Sequence, residues 1–198
     1  QTEVALGPSA KKPLILKTPL MLGGMSYGGS LSYQARAALD QGATLAGTAT
    51  NTGSGPFIGE LREKSWKYVI QFPRGYWSRS AEILSRADMI EIARGHGAWA
   101  PSPVRISGTQ VTGGFARRIG AIPGLDVLLE SRLPEVETGG DWKALVARLK
   151  DVSGGAPVAV KIGGAHNLEQ ELELIIDGGV DVVVIDGAEG GTHACPPI

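Results

Sequence analysis

The stretch PVAVKIGGAHNLEQELELIIDGGVDVVVIDG, residues 157–187, contains the unit whose reading decides the fold. Two runs of mostly branched apolar residues, 157–164 and 181–187, enclose an amphipathic segment that starts near Asn167 and closes on Gly178 and Gly179. Apolar runs of this length read as strands covered on both faces, which is the habit of a parallel sheet with helical crossovers. Each run also carries a polar residue of distinct chemistry near its carboxyl end, Lys161 in the first and Asp186 in the second, just before its glycines.

Working outward, the same order of strand, polar loop and helix recurs. LMLGG (20–24) precedes a helical segment that Ser32 can cap and Gly42 can end. ATLAGTAT (43–50) leads into a glycine-rich loop, YVIQF (68–72) precedes SAEILSRA, and MIEIA (89–93) precedes a long loop containing Pro101 and Pro103. VLLES (127–131), the weakest strand signal, stands before DWKALVARLKDVS, where Trp142, Leu145, Val146 and Leu149 share one helical face. Residues 1–17 read as a polar, extended lead. The count is therefore six strands and one doubtful strand. An eight-stranded barrel takes about 250 residues, and this chain has 198.

The polar residues decide between an open sheet and a barrel. Met25, Ser26, Asn51, Gln71, His96, Lys161 and Glu189 each follow the carboxyl end of a strand. An open sheet concentrates its ligand groups at one switch point, whereas a barrel collects them from all its strand ends. The expected fold is α/β: a (β/α)8 TIM barrel, incomplete in this chain with about six βα units, forming a single domain over residues 1–198.

Composition narrows the function. The formal net charge is −1 with Lys and Arg scattered along the chain, so neither nucleic acid nor an anionic membrane is an expected partner. Cys195 is the single cysteine, which excludes an internal disulfide and an iron–sulfur cluster held by this chain alone. No apolar run approaches the roughly 20 residues of a membrane span, and the amino terminus lacks a signal peptide's apolar core. The cytoplasm is the expected compartment. With 29 Gly and 12 Pro, tight turns and close backbone approaches are frequent, as in loop-rich α/β enzymes.

GGMSYGGSLS, ATNTGSG, IEIARGHGA and VAVKIGGA…GVDVVVIDGAEGGTHACP resemble, in order and spacing, the flavin-binding synthase domain of the glutamate synthase family over residues 20–197. The resemblance implies a barrel that binds FMN at the carboxyl ends of its strands and uses reduced flavin to deliver hydride to a 2-imino acid. By the same resemblance the chain ends at strand six, short of the two strands whose loops hold the flavin phosphate. Without more chain, FMN binding is then expected to be weak or absent. A glutaminase and a reductase subunit are implied as partners, in a homo-oligomer or a complex, with a small 2-oxo or amino acid as substrate.

The resemblance also assigns residues. Lys161 takes the position of the family's flavin lysine, where a fixed ammonium offsets the negative charge of reduced flavin. A barrel lysine can alternatively form a Schiff base, as in a lyase or aldolase, and a degenerate, non-catalytic barrel is a third reading. Met25 and Ser26 would line the flavin, and Asn51 and Gln71 would meet its mixed donor and acceptor edge. Gly190, Gly191 and Thr192, in the position of the family's Gly-Gly-Thr turn, would contact ribityl or substrate, with Glu189 in the place of an Asp. Taken alone, each of these glycine turns reads equally as backbone geometry.

The segment GHGAWAPSPVRISGTQVT (95–112) departs from the family pattern: His96 replaces Gln, Trp99 replaces Lys and Gln110 replaces a second Lys. SGP at 54–56 similarly replaces Glu-Gly-Gly. Two missing cations argue against 2-oxoglutarate itself. Arg94 is a candidate for a substrate carboxylate, His96 for proton donation and Trp99 for an apolar wall. Arg105 reads as a solvated loop charge.

Overall fold

Branched and aromatic residues set five strands side by side in the computed structural model, which describes residues 2–95, 103–131, 133–136, 139–164 and 166–187. These are β3 (Ala49–Asn51), β4 (Lys67–Phe72), β5 (Met89–Ala93), β8 (Val158–Gly163) and β9 (Val182–Asp186), all parallel, in the order β3-β4-β5-β8-β9. The sheet curls into part of a (β/α)8 barrel. Short helices α2 (Gly59–Arg62) and α3 (Ala81–Leu84) cross between the first three strands, and α6 (Leu168–Asp177) joins β8 to β9.

Side chains alternate across each strand, and here the two faces bury different things. The outer face, with Ile70, Phe72, Ile90, Ile92, Val158, Val160 and Ile162, packs on Trp142, Leu145, Val146 and Leu149 of α5 (Gly139–Val152). That is the helix face expected from its spacing. The inner face begins with Ala49, Val69, Met89 and Ala159, which cluster with Leu14 and Leu16. Those leucines belong to β2 (Leu14–Leu16), which pairs antiparallel with β1 (Val4–Leu6). The lead is thus a hairpin that plugs the amino-terminal mouth of the barrel, because an open mouth would leave that small apolar layer in water.

Four expectations change. ATLAGTAT (43–50), read as a strand, is helical through Ala46, and its strand begins only at Ala49. LMLGG (20–24) forms no ladder; a single bond from Leu22 N–H to the Ala49 carbonyl, 3.3 Å, sets it beside β3. Two adjacent glycines weaken a strand, and Gly24 here serves a close approach instead. The helix begun by Ser32, whose Oγ accepts from Ala35 N–H at 3.1 Å, runs past Gly42: α1 spans Tyr33–Ala46 and ends on Gly47 at φ 67°. A glycine inside a helix costs only about 1 kcal/mol, which the packing of buried Ala43 offsets. VLL of VLLES is a strand, β7 (Val127–Leu129), but it pairs antiparallel with β6 (Val104–Ile106), outside the barrel ladder.

β6, β7 and α4 (Gly113–Ile119) form an excursion between β5 and β8 with its own small core of Trp77, Val111, Phe115, Ala116, Ile119, Val127 and Leu129. Arg105, read as a loop charge, lies in β6; its side chain is on the surface and pairs with Asp126 at 2.6 Å. The Gly108 N–H at 2.8 Å, and then Arg105, hold the Asp126 carboxyl below the ordinary aspartate value. A depressed carboxyl stabilises the fold above its unfolded value and loses that contribution as pH falls through its folded value. Protection of the β6 and β7 amides, taken relative to their intrinsic exchange rates, is therefore expected to fall below about pH 4, and Asp126→Asn should abolish that acid-dependent step; hydrogen exchange from about pH 2 to 5, which brackets this window, measures it.

Candidate active site

Alternation and register together build a polar layer above the apolar plug. Asn51 closes β3, Gln71 lies next to the end of β4 and pairs in register with Glu91 of β5, and Lys161 of β8 is level with Ala93. All four polar side chains project inward, two residues above the inner apolar positions Ala49, Val69, Met89 and Ala159. Each is nearly inaccessible: Asn51 and Gln71 are 1% exposed, Glu91 2% and Lys161 8%. Glu91 Oε1 accepts from Asn51 Nδ2 at 3.0 Å and from Gln71 Nε2 at 2.7 Å, so one carboxylate oxygen ties three strands. Lys161 Nζ forms an ion pair with Asp186 Oδ2 at 3.2 Å across to β9.

The loop after β3 turns back over this layer. Gly53 N–H donates to Asn51 Oδ1 at 2.9 Å, Ser54 Oγ donates to Gln71 Oε1 at 2.6 Å, and Trp77 Nε1 donates to the Ser54 carbonyl at 2.9 Å. Residues 24–27 lie flat against it. A Cβ on Gly24 would meet Gly53 Cα, Asn51 Oδ1 and Gln71 Nε2 at 3.1–3.2 Å, and Gly53, at φ 61°, has room for none beside the Met25 backbone at 2.8 Å. This is the close approach that Gly24 of LMLGG serves. Met25 and Ser26 are thereby brought to the rim of the layer, half-buried.

A buried guanidinium locks the two loops together. Arg36 of α1 donates to the carbonyls of Asn51 and Met25 and to Thr50 Oγ1 at 3.0 Å, and pairs with Asp40 at 2.9 Å. Thr50 Oγ1 in turn donates to Asp40 Oδ1 at 2.6 Å. Tyr68 lies 5.5 Å from this guanidinium, and burial pushes its hydroxyl up to about 12, so it is a neutral wall.

The structure thus gathers Met25, Ser26, Asn51, Gln71 and Lys161 at one end of the barrel. It does not bring Arg94 into the polar layer: this side chain reaches Glu171 of α6 at 3.2 and 3.4 Å, with its guanidinium over Trp142 in the helix layer. His96, Trp99, Glu189, Gly190, Gly191 and Thr192 lie outside the described residues. Sequence reasoning passed over Glu91, Arg36 and Asp40. The signal for Glu91 was present, since a carboxylate inside MIEIA is as anomalous as a lysine inside VAVKIGG. Arg36 and Asp40 look like ordinary surface charges of a helix, and only packing reveals them.

Among the described residues no helix is long and apolar enough to cross a membrane. The barrel architecture recurs in solved structures. A mandelate oxidase variant carrying a C4a-OH-FMN adduct superposes with a TM-score of 0.54 at 16% identity, covering 92% of this chain and 51% of that one. Mandelate oxidase with 3,3-difluoro-2-hydroxy-3-phenylpropionic acid gives a TM-score of 0.54 at 15% identity, covering 96% and 54%. At these identities the likeness establishes the fold alone.

Sequence relatives are closer. A glutamate synthase large subunit-like protein of Rhizobium meliloti (strain 1021) is 35% identical over 195 residues, 98% of this chain and 44% of that protein. An archaeal-type glutamate synthase (NADPH) of Thermotoga neapolitana is 32% identical over 196 residues, 98% of this chain and 38% of the relative. The chain therefore spans less than half the length of these relatives. The family model described as the conserved region in glutamate synthase matches residues 2–198, and with a match of that extent the chain belongs to the glutamate synthase family.

Proposed function

We propose that this chain is the flavin-binding part of an FMN-dependent oxidoreductase of the glutamate synthase type, which reduces an imine or related 2-oxo-acid adduct to an amino acid. The observation that carries this reading is the buried layer in which the Lys161 cation and the Asn51 and Gln71 amides face one interior space at the strand ends. A carboxylate buried without a cation, as Glu91 is among the described residues, costs stability without serving packing, which argues against a barrel kept for assembly alone. The flat approach of residues 24–26 over Gly53, with no room for a Cβ, fits a planar ring lying against backbone.

When bound and reduced, FMN would supply the hydride. In this reading Lys161 would set its positive charge beside the pyrimidine end of the ring, and Asn51 and Gln71 would hold the ring's polar edge. Met25 and Ser26 would cover one face, with Gly190, Gly191 and Thr192 at the ribityl or substrate side. His96 would donate a proton to the reacting centre and Trp99 would form an apolar wall, with Glu189 beside them. Arg94 can reach a substrate carboxylate only by exchanging Glu171 for it. Trp99 and Gln110, in place of the family's lysines, favour a substrate less acidic than 2-oxoglutarate. Electrons would come from a pyridine nucleotide or a reductase partner, in keeping with the NADPH in the relatives' names, and ammonia from a glutaminase partner or solution.

The Schiff-base alternative would use the same Lys161 as a nucleophile, and the two readings part on what the lysine does to added FMN and to a carbonyl substrate. The test is the visible spectrum of the full natural protein. A flavin spectrum released as FMN on denaturation is expected; a colourless protein that does not retain added FMN, or borohydride trapping of substrate on Lys161, rejects the reading.

A further inference from the structure

We infer that Glu91 is a positioning residue that fixes which ends of Asn51 and Gln71 face the ligand, and that its charge tunes the reduction potential of the flavin. The inference rests on the FMN reading above and deepens it. Three observations carry it.

First, Glu91 is 2% exposed, and among the described residues its carboxylate makes no ion pair, while the neighbouring cation, Lys161, is matched with Asp186. A carboxylate buried without a cation is costly, so a purely apolar filler would serve packing better. Second, both hydrogen bonds to Glu91 come from amide nitrogens and converge on the same oxygen. Third, both amide oxygens are already engaged from the other side, Asn51 Oδ1 by Gly53 N–H and Gln71 Oε1 by Ser54 Oγ.

Each amide is therefore oriented at both ends, nitrogen toward Glu91 and oxygen toward the loop. An ionised carboxylate only accepts, so neither amide can turn over without placing its oxygen against Glu91. The N–H left on each nitrogen is the donor available to a ligand. The pair consequently offers donors to carbonyl-type acceptors at the ring edge. In the flavin reading the Glu91 charge would lie behind these amides and would oppose the negative charge that the ring gains on reduction.

Glu91→Gln tests both parts in the full natural protein loaded with FMN. A neutral amide can donate as well as accept, so the two partners lose their fixed orientation. The expected result is FMN binding weaker by about ten- to hundredfold, the worth of a hydrogen bond to a charged group, with a shifted flavin absorption band and a more positive midpoint potential. A merely structural role would weaken binding and leave the potential where it was. Glu91→Asp keeps the charge but withdraws the shared oxygen, and it should lower affinity similarly while holding the potential near the wild-type value. Should the Gln variant not fold, the Asp variant decides. Either folded variant matching the wild type in affinity, spectrum and potential overturns the inference while the flavin reading stands; a wild-type protein that binds no FMN overturns both.

Discussion

Lys161→Met is expected to slow reduction of the bound flavin and turnover by about 10²–10³-fold, the usual loss when one preorganised electrostatic group is removed from an active site. The side chain is 10% exposed and ends 3.2 Å from Asp186, so its charge acts in surroundings where water screens poorly. Methionine keeps the length and the packing of the strand but carries no charge. It also leaves Asp186 without this partner, which is why Lys161→Met should be compared with Lys161→Met/Asp186→Asn. If the ammonium is what matters, both variants are slow, and the flavin potential is more negative in the single variant than in the double, where the two lost charges offset each other. If the loss comes from disturbing Asp186, the double variant recovers. Stopped-flow reduction monitored by flavin absorbance separates these cases, and an unaffected single variant sinks the flavin and Schiff-base roles of Lys161 together.

Arg36→Met is expected to lower the unfolding free energy by about 3–5 kcal/mol, because it strands a buried Asp40 charge. Arg36 and Asp40 are 3% and 2% exposed, and Asp40 Oδ2 has no hydrogen-bond partner, so the carboxylate depends on the guanidinium and Thr50 alone. The same substitution frees the carbonyls of Met25 and Asn51, the two loop segments placed here against the flavin. Loss of retained FMN should therefore accompany the loss of stability. Arg36→Met/Asp40→Leu removes the whole charge pair and should regain much of the stability. It should not regain FMN affinity, since the carbonyls still lack their donor. Denaturant melts and flavin titrations on the same three proteins check both halves. A double variant as unstable as the single one would show that the clamp, and not the stranded charge, sets the cost.

How much of this was legible beforehand differs by element. Four of the ladder strands and the helix around Trp142 follow from apolar runs and their spacing, since a strand covered on both faces reads as an apolar run; the assignment to a barrel follows from the polar residues at the strand ends, and the run read for β3 is helical over its first half. The lead hairpin was illegible because three-residue strands have too few positions to show alternation. VLLES carries an ordinary strand signal, and nothing local distinguishes a barrel strand from an antiparallel excursion. Gly42 failed as a helix end because a residue's propensity of about 1 kcal/mol yields to tertiary packing.

The candidate site divides along the same line. Sequence alone determined that a lysine, an asparagine and a glutamine sit at strand ends, and that glycines would bring a loop close to them. Only the tertiary structure decided that Arg94 turns outward to Glu171, that Lys161 is paired with Asp186, and that Glu91 and Arg36 hold the layer in place. The physical reason is one of range. Strand and helix patterns repeat over neighbouring residues, whereas hydrogen bonds such as Asn51 to Glu91, 40 positions apart, exist only after the sheet has set its register.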